Sequence, residues 1–179
     1  MPRLYGQTIM LREFRSDDIH GMRAWVNDAR VTKYLTSIFT VPNTFDQTRR
    51  YLDSILDSAA AGVHLVIADR EGEQYLGQCE LLSIDHTARK AELAVVLKAE
   101  HTGRGIGREA IGLLLGLAFE QLNYNRVSLK VYAANERAIR CYEALGFTHE
   151  GRLREEVFYD GMYQDVLIMG ILRKEFRPV

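Results

Sequence analysis

The chain has 179 residues, of which 47% are hydrophobic and 26% charged, with 14 Gly and 3 Pro. That balance is the one of an ordinary globular protein and excludes a disordered, collagen-like or coiled-coil chain, and the length suits one domain over residues 1–179. Lys and Arg number 23 against 24 Asp and Glu, a formal net charge of -1, so the whole-molecule basic footprint that nucleic acid or an anionic membrane wants is absent.

In chain order, residues 8–14 read as a first strand. Ser16, followed by Asp17 and Asp18, has the form of a helix N-cap with acids in the first turn, and Trp25 lies on the apolar side of that helix. Val41, Pro42 and Asn43 break the chain; Thr44 and Gln47 then have capping-box spacing for a helix running to about Ala61. The apolar, β-branched stretch 63–69 and the stretch 74–84 read as strands joined by a turn at Gly72, and 91–97 as the next strand of an antiparallel meander.

The character then changes. Ile106, Ala110, Leu113, Leu114, Leu117 and Ala118 recur with helical period across 105–121. A strand at 126–132 follows, then a helix over 135–145 closed by Gly146, then strands at 147–154 and 163–172. A meander followed by strand–helix alternation predicts an α/β protein, one mixed sheet with helices on both faces.

Cys79 and Cys141 belong to no C-x-x-C pair, and the five His fall at no metal-ligand spacing, so neither a disulfide scaffold nor a zinc site is expected. No apolar run approaches the roughly 20 residues of a membrane span. The opening MPRLYGQTIMLREF has neither an apolar signal core nor a small-residue cleavage site, so a cytoplasmic protein with free thiols is expected.

The first chemical signal is Gly103-Arg104-Gly105-Ile106-Gly107-Arg108, between a predicted strand and a predicted helix. Alternating glycines let backbone N–H groups converge at a helix N-terminus, which is an anion site. A tight turn alone needs fewer glycines. No Gly-Lys-Ser/Thr closes the motif, which excludes a P-loop. Gly105 to Ala110 satisfies the G-x-G-x-x-A of a dinucleotide fingerprint, but the next strand ends in Ala133-Ala134-Asn135 where an acid should meet the ribose. An NAD-dependent oxidoreductase is therefore the outside alternative.

Several segments together resemble the GNAT superfamily of acyl-CoA N-acetyltransferases. Thr102-Gly103-Arg104-Gly105-Ile106-Gly107 is similar to that family's pyrophosphate loop, with Thr102 where Gln or Arg is usual. Asn135-Glu136-Arg137-Ala138-Ile139-Arg140-Cys141-Tyr142-Glu143-Ala144-Leu145-Gly146-Phe147 resembles its second signature. Glu150-Gly151-Arg152-Leu153-Arg154 and Tyr159-Asp160-Gly161-Met162-Tyr163-Gln164-Asp165 are similar to the branch of ribosomal-protein and spermidine N-acetyltransferases. The resemblance implies a GNAT fold, a mixed and mostly antiparallel sheet of six or seven strands with about four helices, splayed between the fourth and fifth strands. It implies transfer of an acetyl group from acetyl-CoA to a primary amine, a protein N-terminus or a small amine such as a polyamine, in a ternary complex without a metal or an acyl-enzyme. A non-catalytic acyl-CoA-binding module is the alternative. The branch is compatible with a homodimer, and neither nucleic acid nor membrane is an expected partner.

The same resemblance assigns residues. Backbone groups of Val95, Val96 and Leu97 would meet pantetheine, with one N–H facing the thioester oxygen. The amides of Arg104, Gly105, Ile106, Gly107 and Arg108 would hold the pyrophosphate. Asn135 would contact pantetheine, and it is equally a good helix N-cap. Tyr142 matches the general acid to the CoA sulfur; a phenol, with a pKa near ~10, is protonated at neutral pH, although Tyr142 also shares a helix face with Ala138 and Leu145. The acceptor amine, with a pKa near ~10, must lose a proton before it attacks. Glu92 is the candidate base, directly or through a water, with Glu80 on the neighbouring strand as its rival. Alternation puts Glu92, Ala94 and Val96 on one face and Leu93, Val95 and Leu97 on the other. Glu13, Asp17, Asp18 and Asp28 are candidate carboxylates for a polyamine, yet acids suit any helix start. Trp25 and Tyr34 read as packing residues. Arg49, Arg50, Arg152 and Arg154 read as solvated positions, with contact to the CoA 3′-phosphate as the alternative for either pair.

Overall fold

The computed structural model describes residues 3–35 and 37–178. Its strands are β1 (Leu4–Tyr5), β2 (Ile9–Arg12), β3 (Val63–Asp69), β4 (Tyr75–Asp85), β5 (Lys90–Leu97), β6 (Arg126–Tyr132), β7 (Thr148–Tyr159) and β8 (Met162–Leu172). They form an eight-stranded sheet in the order β1-β2-β3-β4-β5-β6-β8-β7. The β5–β6 pair is parallel, and the other neighbours are antiparallel. The expected six or seven strands become eight because of β1, a two-residue edge strand pairing Leu4 with Leu11 and Tyr5 with Met10. Two residues are too few to show a period.

The helices are α1 (Ile19–Trp25), α2 (Ala29–Thr32), α3 (Phe45–Leu56), α4 (Ile106–Gly116) and α5 (Glu136–Ala144). About four were expected; α2, a single turn capped by the Asp28 side chain, is the addition. Thr44 and Gln47 form the anticipated capping box on α3: Thr44 Oγ1 accepts from the Gln47 N–H at 3.2 Å, and Gln47 Oε1 accepts from the Thr44 N–H at 2.7 Å. The helix stops at Leu56, short of Ala61, because Ser58 takes a left-handed φ of 54° and the N–H groups of Ala59 and Ala60 turn back onto the Ser54 carbonyl. α4 runs on as a π-helical turn through Leu117–Gln121.

Ser16 is not the N-cap of α1. Ser16–Asp18 form a 3-10 turn, and Asp18 at the cap position makes no side-chain cap bond to α1: its carboxylate instead accepts the Arg15 N–H at 2.7 Å and is gripped by Arg12 Nη1 and Nη2 at 2.9 and 2.8 Å. Both side chains are 3% exposed, and the two-pronged, charge-assisted geometry commits the carboxylate to Arg12.

Helices cover both sheet faces, as the alternation of the sequence implies. α4 and α5 pack with Ile67, Leu81, Leu93, Leu129 and Ile171 on one face. Met22 and Trp25 of α1 and Leu52 of α3 pack with Met10, Val66 and Tyr75 on the other.

The parallel pair is short. Lys90, Ala91 and Glu92 pair with Arg126, Val127 and Ser128, and there the ladder ends. β6 stays with β8 as far as Tyr132 opposite Val166, while β5 follows β4 to Leu97 opposite Gly77. The strands part beyond Glu92, which is the anticipated splay, between β5 and β6 once β1 is counted.

Candidate active site

The parting strands open a cleft of about 940 Å³. One wall is the free edge of β5, where Val95, Val96 and Leu97 all line the cleft. Their backbone groups on that side have no strand partner in the β5–β6 register. The opposite wall is β6, with Lys130, Val131 and Tyr132. Asn135 and Tyr142 of α5 close it from one side.

At one end stands the glycine loop. Gly103 and Gly105 have φ of +78° and +82°, and nothing lies within 4 Å of where a Cβ would be on either. Gly105 is the N-cap of α4, whose first amides have no intrahelical acceptor. Thr102 and Gly107 line the cleft, whereas Arg104, Gly105, Ile106 and Arg108 form the adjoining turn outside its lining. The Thr102 hydroxyl donates to the Ala99 carbonyl at 2.8 Å, so this side chain is occupied within its own turn and the loop offers backbone. The residues fit an acyl-CoA: an amide-bearing arm can add to the free β5 edge as a strand would, and a pyrophosphate suits the open amides at the α4 N-terminus.

The second signature folds into α5, and its two ends fix the side chains between them. Asn135 Oδ1 accepts the Ala138 N–H at 3.3 Å as the N-cap. At the other end Gly146, with φ +94°, donates to the Glu143 carbonyl at 3.0 Å while the Phe147 N–H reaches the Tyr142 carbonyl at 3.1 Å. This is a Schellman stop. It sets Tyr142 against Phe147, ring centroids 5.8 Å apart and edge-on. The Tyr142 ring is buried, and burial pushes its pKa well above that of an ordinary phenol, with the neighbouring Cys141 adding to the effect.

Glu92 occupies the last β5–β6 rung, opposite Ser128, and lines the cleft. Glu80 does not line it. It shares the sheet face of Glu92 but lies on β4, opposite Ala94 and one strand farther from the fork. There it is 8% exposed and accepts from Tyr51 Oη at 2.5 Å and Gln78 Nε2 at 3.0 Å.

None of Glu13, Asp17, Asp18 and Asp28 lines the cleft. Glu13 pairs with Arg3, Asp18 with Arg12 and Asp28 with Arg30. Arg49, Arg50, Arg152 and Arg154 are also outside it, and Arg152 binds Asp165. Trp25 is a packing residue, buried with its Nε1 donating to Tyr75 Oη at 3.0 Å. Tyr34 is more than that: it lines the cleft, edge-on to Tyr132 with centroids 6.4 Å apart. Lys130, Tyr132 and Glu156 also line the cleft and were not singled out by the sequence reading. Strand position alone gave a signal for Lys130 and Tyr132, which alternate with Ser128 on the face of Glu92.

Residues 8–148 match the family model described as the acetyltransferase (GNAT) domain. The chain belongs to the GNAT acetyltransferase family. It is similar to the spermidine N(1)-acetyltransferase of Vibrio cholerae serotype O1, 32% identical over 170 residues that cover 94% of this chain and 95% of that protein. The spermidine N(1)-acetyltransferase of Escherichia coli K12 is 29% identical over 170 residues, covering 94% and 88%. Among solved structures, the Vibrio cholerae spermidine N-acetyltransferase in complex with CoA and spermine superposes with a TM-score of 0.82 at 29% identity, covering 93% of this chain and 96% of that one. This acetyltransferase uses acetyl-CoA as its acetyl donor, which sets aside the NAD-dependent alternative. Among the described residues no group of His, Cys, Asp and Glu is arranged to hold a metal ion, and no helix is long and apolar enough to cross a membrane.

Proposed function

We propose that this enzyme acetylates a primary amine of a polyamine, with Glu92 as general base and Tyr142 as general acid. The observation that carries the reading is the fork: Glu92 on its last rung and Tyr142 on α5 line one cleft, along the free Val95–Leu97 edge. The acceptor class rests on the similarity to spermidine N-acetyltransferases across nearly the whole chain.

Acetyl-CoA, when bound, supplies a thioester carbonyl activated for attack. Glu92, directly or through a water, takes a proton from the acceptor ammonium, whose pKa is near ~10. The freed amine forms the new C–N bond, and a backbone N–H among Val95, Val96 and Leu97 offsets the charge that grows on the carbonyl oxygen. As the C–S bond breaks, Tyr142 gives its proton to the sulfur; its raised pKa keeps that proton in place until then, and the second proton lost by the acetylated nitrogen restores it. The amides of Arg104, Gly105, Ile106, Gly107 and Arg108 hold the pyrophosphate. Asn135 has committed Oδ1 to the helix cap, which leaves its Nδ2 to donate to pantetheine. Both cysteines are free thiols, the state a reducing compartment maintains, and the reading extends to a cytoplasmic enzyme.

The test is release of CoA thiol from acetyl-CoA in the presence of spermidine, spermine or a peptide with a free N-terminal amine. Turnover of the polyamines at least about tenfold faster than of the peptide is expected, a margin of about 1.4 kcal/mol. Turnover of the peptide alone would overturn the acceptor class. No release with any amine, together with a thermal midpoint raised by acetyl-CoA, would return the non-catalytic module.

A further inference from the structure

Between Leu153, opposite Val166, and Val157, opposite Gln164, β7 advances four residues while β8 advances two. The two extra residues make a bulge in which Glu155 has a left-handed φ of 52°. Asp165 pins it: Oδ1 accepts the Glu155 N–H at 2.8 Å, and Oδ2 accepts from Arg152 Nε at 2.5 Å. These backbone and guanidinium donors hold the Asp165 carboxyl below the usual carboxylate range. Bulges re-aim side chains, and here Glu156 lines both the main cleft and a side pocket of about 190 Å³.

The two cavities share Leu35, Tyr132, Glu156 and Val157. The side pocket's other walls are Thr32, Phe39, Thr40, Phe158 and Tyr159, so Glu156 is the one charged side chain among the described residues that line it. Tyr132 Oη donates to the Leu35 carbonyl at 2.7 Å, which ties the segment after α2 to β6 and fixes the wall between the cavities. In the main cleft, by contrast, Lys130 shares the sheet face of Glu92, and Arg30, Lys33 and Arg137 line it alongside Glu136. A second positive charge on the acceptor is repelled by Lys130. It is attracted to a carboxylate flanked by aromatic rings, where ion pairing and cation–π contact act together.

We propose that the Glu156 side pocket is the subsite for a distal ammonium of the acceptor, while the reacting amine is delivered to Glu92 in the main cleft. This rests on the polyamine reading of the main site. Glu156 is then a specificity residue: it selects acceptors with a second cationic group separated by an apolar spacer, and the spacer lies along Leu35, Tyr132 and Val157.

The test compares wild type, Glu156→Gln and Glu155→Gln by steady-state kinetics with spermidine and with hexylamine, a monoamine without a distal charge. Glu155 lines neither cavity and serves as control. Glu156→Gln is expected to raise KM for spermidine about tenfold, equivalent to about 1.4 kcal/mol, and to leave kcat, the KM for acetyl-CoA and the hexylamine reaction within about twofold. Glu155→Gln should match wild type. An unchanged spermidine KM in Glu156→Gln, or an equal loss for spermidine and hexylamine, overturns the subsite alone. A wild-type enzyme that acetylates a peptide amine and no spermidine overturns the polyamine reading and the subsite with it.

Discussion

Glu92 and Glu80 lie on neighbouring strands and one sheet face, and their surroundings give them different work. Glu92 stands where the ladder ends and the cleft begins. Glu80 is enclosed by Tyr51, Gln78 and His64. His64 Nε2 faces the Ala61 carbonyl at 3.2 Å, and Nδ1 lies 3.3 Å from Glu80 Oε1 but off the hydrogen-bond line, so the pair acts through charge. Glu80 raises the His64 pKa, and burial only partly opposes it. A folded-state pKa above the unfolded value of about 6.5 means that the pair contributes fully below about pH 6.5 and is lost as pH rises through the folded value. Wild type should therefore lose more stability than His64→Gln between about pH 6 and about pH 8, by urea denaturation at each pH; parallel curves for the two proteins would contradict the pairing. Tyr142, Asn135 and Glu92 were singled out through the family resemblance, which a helix signature and a strand start carry, and the structure brings all three to the cleft lining while their roles stay proposals. Glu156 was not. Its direction depends on a bulge, and two extra residues reset the alternation from which a strand residue's face is read.

Helix ends and turns were legible where side chain and backbone agree. Gly146 and the Thr44–Gln47 box stop and start their helices as their residue types require. The elements that escaped, β1 and α2, are two and four residues long, below the length at which periodicity exists. Asp18 escaped because its partner Arg12 comes from a strand, a contact no helix-start rule contains. Two glycines of α4 separate backbone conformation from space. Neither Gly105, with φ +82°, nor Gly116 has anything within 4 Å of an added Cβ. Gly105→Ala should cost about 1–2 kcal/mol through left-handed strain and weaken acetyl-CoA binding by about tenfold. Gly116→Ala, within the helix, should stabilise by up to about 1 kcal/mol and leave binding alone. Thermal unfolding and titration calorimetry read both, and a Gly105→Ala protein equal to wild type in stability and affinity would contradict the assigned loop.

At the scale of the molecule, the cleft is a consequence of how two partial sheets meet. Strands β1 to β5 and strands β6 to β8 join through three parallel residue pairs, and the core under α4 and α5 spans both halves while α1 and α3 pack on the first half alone. Strand adjacency is non-local, so residue patterns yielded a mixed sheet with helices on both faces, and only the family resemblance yielded the splay. The arrangement brings Glu92 at the fork and Tyr142 on α5, the proposed base and acid, to one cavity with the start of α4, the proposed anion site, at its end. The measurement that tests this most directly is the rate of CoA thiol release from acetyl-CoA and spermidine by wild type and Tyr142→Phe, side by side, at neutral and at high pH. With acetyl-CoA at about 100 times its Kd, both proteins should gain roughly 5–10 °C in thermal midpoint. Tyr142→Phe should turn over at least about 100-fold more slowly than wild type. A Tyr142→Phe enzyme that keeps the wild-type rate at both pH values would contradict the assignment of the acid and, with it, the catalytic geometry of the cleft.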